Sequence, residues 1–442
     1  MRTITIAALA MLVVVSPGTM RAAAPADTDP RIAKLVAAVS ESRMEQLLQT
    51  LVSFGTRNTL SDPSSSTRGV GAARQWIFDE MKRSSPKLQV GFDTHQIAAG
   101  GRITRDVELR NVVAILPGRS ARRIYVSGHY DTVNLGAQGQ AALNTAAGGY
   151  GSPADNADAP GADDDGSGTV LMMELARVFA ESDLVFDATL VFTAVAGEEQ
   201  GLIGSREEAR AAKAAKTPVQ AVFNNDIVGG AVGGDGIADG ATLRLYSEGP
   251  EDSPSRSLAV FTRRMAARYV PSHRVRLMAR RDRFGRGGDH TAWNLEGFAA
   301  VGFRESRENY SRQHNASDTM EGVSVAYLGQ NARVNAAAMA VLALAPPPPV
   351  VTNERGTPML DRRPSGYDAH LQWNASPGAA GYRVFWREAW APDWEHELYV
   401  GNVTDYVMPH ANVDDWVFGV AAVDADGHES TVTAYVAPPP NF

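Results

Sequence analysis

The run Ala188 to Ala196 is apolar, β-branched and aromatic, and is followed almost at once by Glu198-Glu199. A short run of this kind between polar residues reads as a buried strand. Adjacent carboxylates at the C-terminal end of a buried strand repel each other and resist leaving water. They require a cation, a proton, or a solvated helix N-terminus whose dipole suits acids. A chain with this strand must build a sheet whose end is either wet or charge-compensated.

Similar runs alternate with helical patterns over most of the chain. Strands are expected at Gln89–Ile97, Thr104–Leu116, Arg123–Ser127, Ala188–Ala196, Gln220–Asn225, Thr242–Tyr246, Val275–Met278 and Ala299–Phe303. Helices are expected at 29–53, 69–82, 168–181, 205–215, 255–268, 290–295 and 323–344. In the third of these, Leu171, Met172, Leu175 and Phe179 share one face. The alternation predicts an α/β fold with a mostly parallel sheet flanked by helices. It stops at Pro346-Pro347-Pro348-Pro349, a stiff spacer by composition. Beyond it, 350–442 holds short alternating segments between turn signals and reads as a small all-β sandwich. The expected domains are 27–345 and 350–442.

Arg2, the apolar stretch Ile4–Val15 and the small residues Ala22 to Ala26 form an export signal over 1–26, with Ala24 and Ala26 at the cleavage positions. The expected location is therefore secreted or periplasmic. That apolar stretch is too short to span a bilayer, and no later run does so. With no cysteine, there is no disulfide, lipidated N-terminal Cys or thiolate ligand. Any metal must be held by His, Asp and Glu, which suits zinc, cobalt or manganese. A net charge of −8 gives no surplus to neutralise phosphates, so nucleic acid is not an expected partner.

Four segments carry the chemistry. The strand Arg123–Ser127 runs into Gly128-His129-Tyr130-Asp131, and period-two alternation puts His129 and Asp131 on one side. His129 reads as a metal ligand steadied by Asp131, or as a solvated strand-end histidine. Gly161-Ala162-Asp163-Asp164-Asp165-Gly166-Ser167-Gly168 sets three carboxylates in a glycine-framed turn before a helix. Capping explains one acid but not three, and the calcium-loop ligand spacing is missing downstream. Asp226 follows the strand Gln220–Asn225. His129, Glu198, Glu199 and Asp226 all fall at strand C-termini, where ligands of open α/β sheets collect. His314 lies in the polar loop Arg312–Thr319, where a surface histidine beside a helix cap is the alternative. His95, His273, His370, His396, His410 and His428 read as ordinary. Together these segments supply oxygen and nitrogen ligands for two metals bridged by a carboxylate, since two close dications need this much negative charge.

These motifs, with Gly197-Glu198-Glu199-Gln200-Gly201-Leu202-Ile203-Gly204-Ser205, resemble the bacterial leucyl aminopeptidase family, secreted exopeptidases with two zinc ions. The resemblance spans about Asp29 to Ala345 and implies a mixed central sheet with helices on both faces. It also implies two zinc ions per chain and peptide substrates. By this resemblance Asp164 bridges both metals, His129 and Asp226 complete one site, and Glu199 and His314 complete the other. Glu198 is then the general base and later the general acid, and Asp131 holds the other nitrogen of His129.

Two features depart from the family pattern. A Gly/Ala/Asn-rich stretch, Asn134 to Pro160, is expected as a rim loop or lid. The segment Arg283-Phe284-Gly285-Arg286-Gly287-Gly288-Asp289-His290 is unusually basic. Arg281, Arg283 and Arg286 either bind a substrate carboxylate or carbonyl, or balance nearby acids. Arg283, Arg286, Asp289, His290 and Tyr310 are the candidate substrate-binding residues. The C-terminal segment resembles a fibronectin type III domain through Leu371-Gln372-Trp373, Gly381–Trp386 and Trp416–Asp424. Trp416 stands where that fold usually has its corner tyrosine. This domain is expected to act as a spacer or to contact a surface or polymer. The leading expectation is an aminopeptidase. The alternatives are a zinc carboxypeptidase or dipeptidase, and a non-catalytic receptor or adhesion relative.

Overall fold

A computed structural model describes residues 26–136 and 156–436. The export signal expected at 1–26, apart from Ala26, and residues 137–155 of the expected rim loop lie outside the described residues.

The first part of the chain builds one sheet from β1 (Gln89–Ile97), β2 (Val107–Leu116), β3 (Arg123–His129), β4 (Thr189–Val195), β5 (Val219–Asn225), β6 (Thr242–Ser247), β7 (Arg274–Met278) and β8 (Ala300–Glu305). Their order is β1-β2-β4-β3-β5-β8-β6-β7. The central strands β4, β3, β5 and β8 run parallel, while β1, β2 and the β6–β8 pairing are antiparallel. The sheet is thus mixed and mostly parallel, as expected. Parallel strands are covered on both faces, which is why their sequences read as continuous apolar runs. On β3, Ile124 and Val126 join the larger core, whereas Tyr125 between them joins a second core on the opposite face.

The helices are α1 (Pro30–Ala37), α2 (Glu41–Ser53), α3 (Gly69–Ser84), α4 (Gly168–Glu181), α5 (Ile203–Ala214), α6 (Pro254–Tyr269), α7 (Asp289–Leu295) and α8 (Val325–Leu344). The single stretch expected over 29–53 is broken, because Ser40 caps α2 by accepting from Arg43 N while its own N–H donates to Glu174. Helix α8 is buried nearly throughout, which explains its apolar character on all sides. On the other face Ala209 and Ala212 of α5 and Trp293 of α7 pack against Val191 and Val222.

The C-terminal part forms two antiparallel sheets. One joins β13 (Asp405–Met408), β10 (Ala369–Gln372) and β9 (Leu360–Arg362). The other joins β12 (His396–Gly401), β11 (Gly381–Glu388), β14 (Trp416–Val423) and β15 (Thr433–Ala434). They share a core around Leu371, Trp373, Tyr382, Val384, Phe418 and Val420.

The proline run is packed rather than free-standing, with Pro346 and Pro349 buried. Ion pairs tie the sheets to α6 and its approach: Arg264 to Glu429 at 2.5 Å and Glu397 at 2.7 Å, Arg263 to Asp393 at 2.5 Å, and Arg387 to Asp252 at 2.8 Å. His428, expected to be ordinary, is only 3% exposed. Its ring nitrogens lie 2.7 Å from Asp424 and 2.9 Å from Asp29. Burial opposes its charge, but these carboxylates outweigh burial and raise its pKa. The folded pKa lies above the unfolded one, so the stabilisation is complete below about pH 6.5 and is lost as pH rises through the raised value. Thermal unfolding of His428→Ala should show a loss of about 3 kcal/mol at pH 6. The loss should shrink towards pH 9, whereas a pH-independent loss would contradict the charge at His428.

Candidate metal centre

The parallel register sets the ends of β3, β4 and β5 side by side: His129 lies opposite Val195, and Ser127 opposite Asn224. The turn Ala162–Ser167 closes against them because two glycines permit contact. A Cβ on Gly128 would lie 2.4 Å from the Gly168 carbonyl carbon, and one on Gly168 would lie 2.1 Å from Asn225 O. The three acids of this turn have separate tasks. The Asp165 carboxylate accepts from His129 N at 2.9 Å and Gly168 N at 2.8 Å, locking strand to turn. Asp163 accepts from Gly229 N at 2.8 Å. Asp164 faces the crevice.

Two donor groups meet at Asp164: His129, Asp164 and Asp226, and Asp164, Glu199 and His314. Asp164 Oδ1 lies 3.3 Å from His129 Nε2, and its Oδ2 lies 2.9 Å from His314 Nε2. His129 Nε2 is 3.6 Å from Asp226 Oδ1, and His314 Nε2 is 3.4 Å from Glu199 Oε2. All five residues are buried, and Asp164 Oδ2, Glu199 Oε1 and Asp226 Oδ1 have no hydrogen-bond donor among the described residues. Buried carboxylate oxygens without donors are costly unless a cation meets them. Imidazole and carboxylate donors suit zinc, so the residues fit that metal. His314 has a φ of 58°, a left-handed conformation uncommon outside glycine, and such outliers cluster at functional sites.

Among the protein's own groups, burial pushes the Glu199 carboxyl well above its ordinary value, reinforced by Asp164 and Glu198. Burial also opposes the charge of Asp164, but His314 and His129 outweigh it and hold this carboxyl well below the usual range. A bound dication would pull down every carboxyl it faces.

Glu198 is half-buried and lines a cavity of about 230 Å3 with Asp164, Glu199, Asp226 and His314. Burial pushes its carboxyl up to about 8, against the pull of His129 and with Asp226, Asp289 and Asp131 adding to the rise. Gly197 makes the turn into the pair with φ at 72°, where a Cβ would lie 2.5 Å from Leu109 Cδ1. Asp131 acts differently from the expectation. His129 Nδ1 lies 3.1 Å from the Asp131 backbone oxygen but 3.8 Å from its carboxylate. The carboxylate instead accepts from Glu198 N at 3.1 Å and Glu199 N at 3.2 Å. It orients the Glu pair, while its backbone oxygen faces His129.

The basic segment divides. Arg281 is half exposed and pairs with Glu248. Arg283 lines the cavity but is bound to Asp282 at 3.0 Å and Glu308 at 2.7 Å, so it balances acids. Arg286 also lines the cavity. Asp289 and His290 are buried outside the cavity lining. His290 Nε2 lies 2.8 Å from Arg281 O, and burial lowers its pKa, so it is a packed neutral ring. Tyr310 is 47% exposed, its ring 6.0 Å from the Arg286 guanidinium.

Three contributors escaped the reading of the sequence. Arg304, fully buried, pairs with Asp226 Oδ2 and donates to Asp226 O at 2.9 Å. Asp318 accepts from Asp163 N at 3.0 Å and Asp164 N at 2.9 Å, placing the shared acid. Arg57 donates to the backbone oxygens of Tyr130 and Gly161, bracing both loops. Arg304-Glu305 at the end of an apolar strand was the available signal, parallel to Glu198-Glu199.

Comparisons with known proteins agree with this chemistry. Residues 111–339 match the model of peptidase family M28. The chain is 37% identical to a probable zinc metalloprotease of Pyricularia oryzae, over 89% of this chain and 82% of that protein. The relative is fungal, so the family is broader than the bacterial group the motifs resemble. Among solved structures, LapA aminopeptidase of Legionella pneumophila aligns with a TM-score of 0.54 and 18% identity, over 73% of this chain and 78% of that one. A Porphyromonas gingivalis glutaminyl cyclase aligns at 0.53 and 18%, over 68% and 98%. Likeness at that level establishes the fold alone, and this fold carries more than one chemistry. The family match, the fungal relative and the buried zinc-type donors converge: the chain belongs to peptidase family M28 and is a zinc metallopeptidase.

Proposed function

We propose that the protein is an aminopeptidase working with two zinc ions. The observation that carries this reading is Asp164 shared between two donor groups, with Glu198 on the same cavity. His129, Asp164 and Asp226 would hold one ion, and Asp164, Glu199 and His314 the other. When bound, zinc supplies Lewis acidity that polarises a carbonyl and acidifies water. A Glu198 carboxylate oxygen accepts the proton of the attacking water and then delivers it to the leaving amine nitrogen. Asp131 keeps Glu198 in place through the Glu198 backbone N–H. The acidic floor attracts the α-ammonium group of a peptide, which favours cleavage at that end.

Other readings have less support. A cyclotransferase on this fold would leave the five-ligand set without a purpose. A non-catalytic relative would have no reason to hold five ligand-type residues in two adjoining donor groups with Glu198 beside them. Carboxypeptidase or dipeptidase action draws on one observation, the arginine wall of the cavity. Export is proposed from the signal pattern at 1–26. The fibronectin type III-like reading draws on three strands packed against four. Because Glu397, Glu429, Asp393 and Arg387 are spent on α6 and Asp252, we favour bracing of the peptidase part over attachment elsewhere.

The test is hydrolysis of free and N-acetylated peptides by zinc-loaded protein, with metal content measured in parallel. Release of the N-terminal residue from free peptides alone, at two zinc ions per chain, is the expected outcome. Cleavage of the acetylated set alone would sink the aminopeptidase reading.

A further inference from the structure

The 283–287 side of the cavity holds more positive charge than its carboxylates neutralise. Arg244, Arg283, Arg286 and Arg304 converge there, and a guanidinium stays protonated in proteins. Glu308 receives Arg244 on Oε1 at 2.5 Å and Arg283 on Oε2 at 2.7 Å. Asp282 receives Arg283 at 3.0 Å and lies 3.5 Å from Arg304. Arg304 is also committed to Asp226.

Arg286 is left with the weakest compensation. Its polar partners among the described residues are the neutral Gln313 Oε1 at 3.2 Å and Glu308 Oε2 at 3.5 Å. That Glu308 oxygen also accepts from Gln313 Nε2 at 3.2 Å, besides holding Arg283. The Arg286 side chain is 16% exposed and lines the cavity with Glu198 and His314. Burial, reinforced by Arg283, works against its charge. A mostly buried cation with a neutral partner and a shared carboxylate calls for an anion from outside.

We propose that Arg286 is a specificity-determining residue that binds a carboxylate of the peptide substrate. The acidic floor takes the α-ammonium group and the arginine wall takes the anion, so the preferred substrate is zwitterionic. Two sources offer this chemistry: the side chain of an N-terminal Glu or Asp, or the free C-terminus of a dipeptide. The inference rests on the aminopeptidase reading.

The test compares kcat/KM within two charge pairs, glutamyl against glutaminyl p-nitroanilide, and Leu-Leu against Leu-Leu amide. A charge-assisted contact should favour the anionic member of at least one pair by about tenfold or more. The pair that responds identifies the source. In Arg286→Gln the ratio should fall below about twofold at unchanged zinc content and melting temperature, and Arg286→Lys should restore part of it. Ratios within about twofold for both pairs in the unaltered protein would overturn the inference, as would a preference that survives in Arg286→Gln. If no aminoacyl substrate is cleaved, the aminopeptidase reading fails separately. Calorimetry then decides the anion site: glutamate binding about tenfold tighter than glutamine, or Leu-Leu than its amide, supports it. Equal affinities within both pairs overturn it.

Discussion

Replacing Glu198 by glutamine is expected to lower kcat by about 10²–10⁴-fold while the protein keeps its zinc. Glu198 lies outside both donor groups, so the amide removes no ligand. It also preserves the shape of the turn, since the Glu198 N–H that Asp131 holds at 3.1 Å belongs to the backbone. What disappears is a carboxylate able to accept a proton at one step and return it at the next. KM should change little, because the loss is confined to proton transfer. Steady-state kinetics with elemental analysis of the same sample checks this. Two zinc ions with undiminished kcat would remove Glu198 from the reaction, whereas a loss of zinc would make it a ligand.

Asp164→Asn should have the larger effect on the metal. Asp164 belongs to both donor groups, so one substitution weakens both sites. An outer partner of a metal ligand is worth about 10–100-fold in affinity, and a shared direct ligand should exceed that. The amide keeps the volume of the side chain and leaves Asp318 bound to the backbone of Asp163 and Asp164. The fold should therefore survive, and the effect should appear in metal linkage. Zinc at 100 times its dissociation constant adds about 2.7 kcal/mol per site to the unaltered protein. In Asp164→Asn that zinc-dependent rise in melting temperature should largely vanish. Competitive titration and calorimetric unfolding, each with and without zinc, measure both quantities. A variant that keeps one tight site would restrict Asp164 to a single metal.

Metal ligands at strand ends were legible because they depend on local pattern. An apolar run reveals a strand, and the parallel register brings the ends of neighbouring strands to one edge. His129, Glu199 and Asp226 could be placed that way without contacts. The helix break at Ser40 was written in a capping residue but overlooked within a longer periodic stretch. The second role of Asp131 was not legible, since backbone and carboxylate oxygens of one residue are indistinguishable in sequence. Arg304, Arg57 and Asp318 act across separations of 78, 104 and 154 residues, beyond the reach of spacing. His428 looked ordinary because the second of its two carboxylate partners, Asp29, lies 399 residues away.

The order of apolar runs and the residue types at their ends determined the fold class and the chemistry, as both follow from short-range periodicity and donor type. Tertiary structure alone decided how charge is shared. The triple acid became a strand lock, a shared donor and a loop anchor. Of three arginines equal in sequence, one was left exposed, one neutralised and one turned to the cavity. The physical reason is that electrostatic energy depends on distance and burial, and these exist only once the chain is folded.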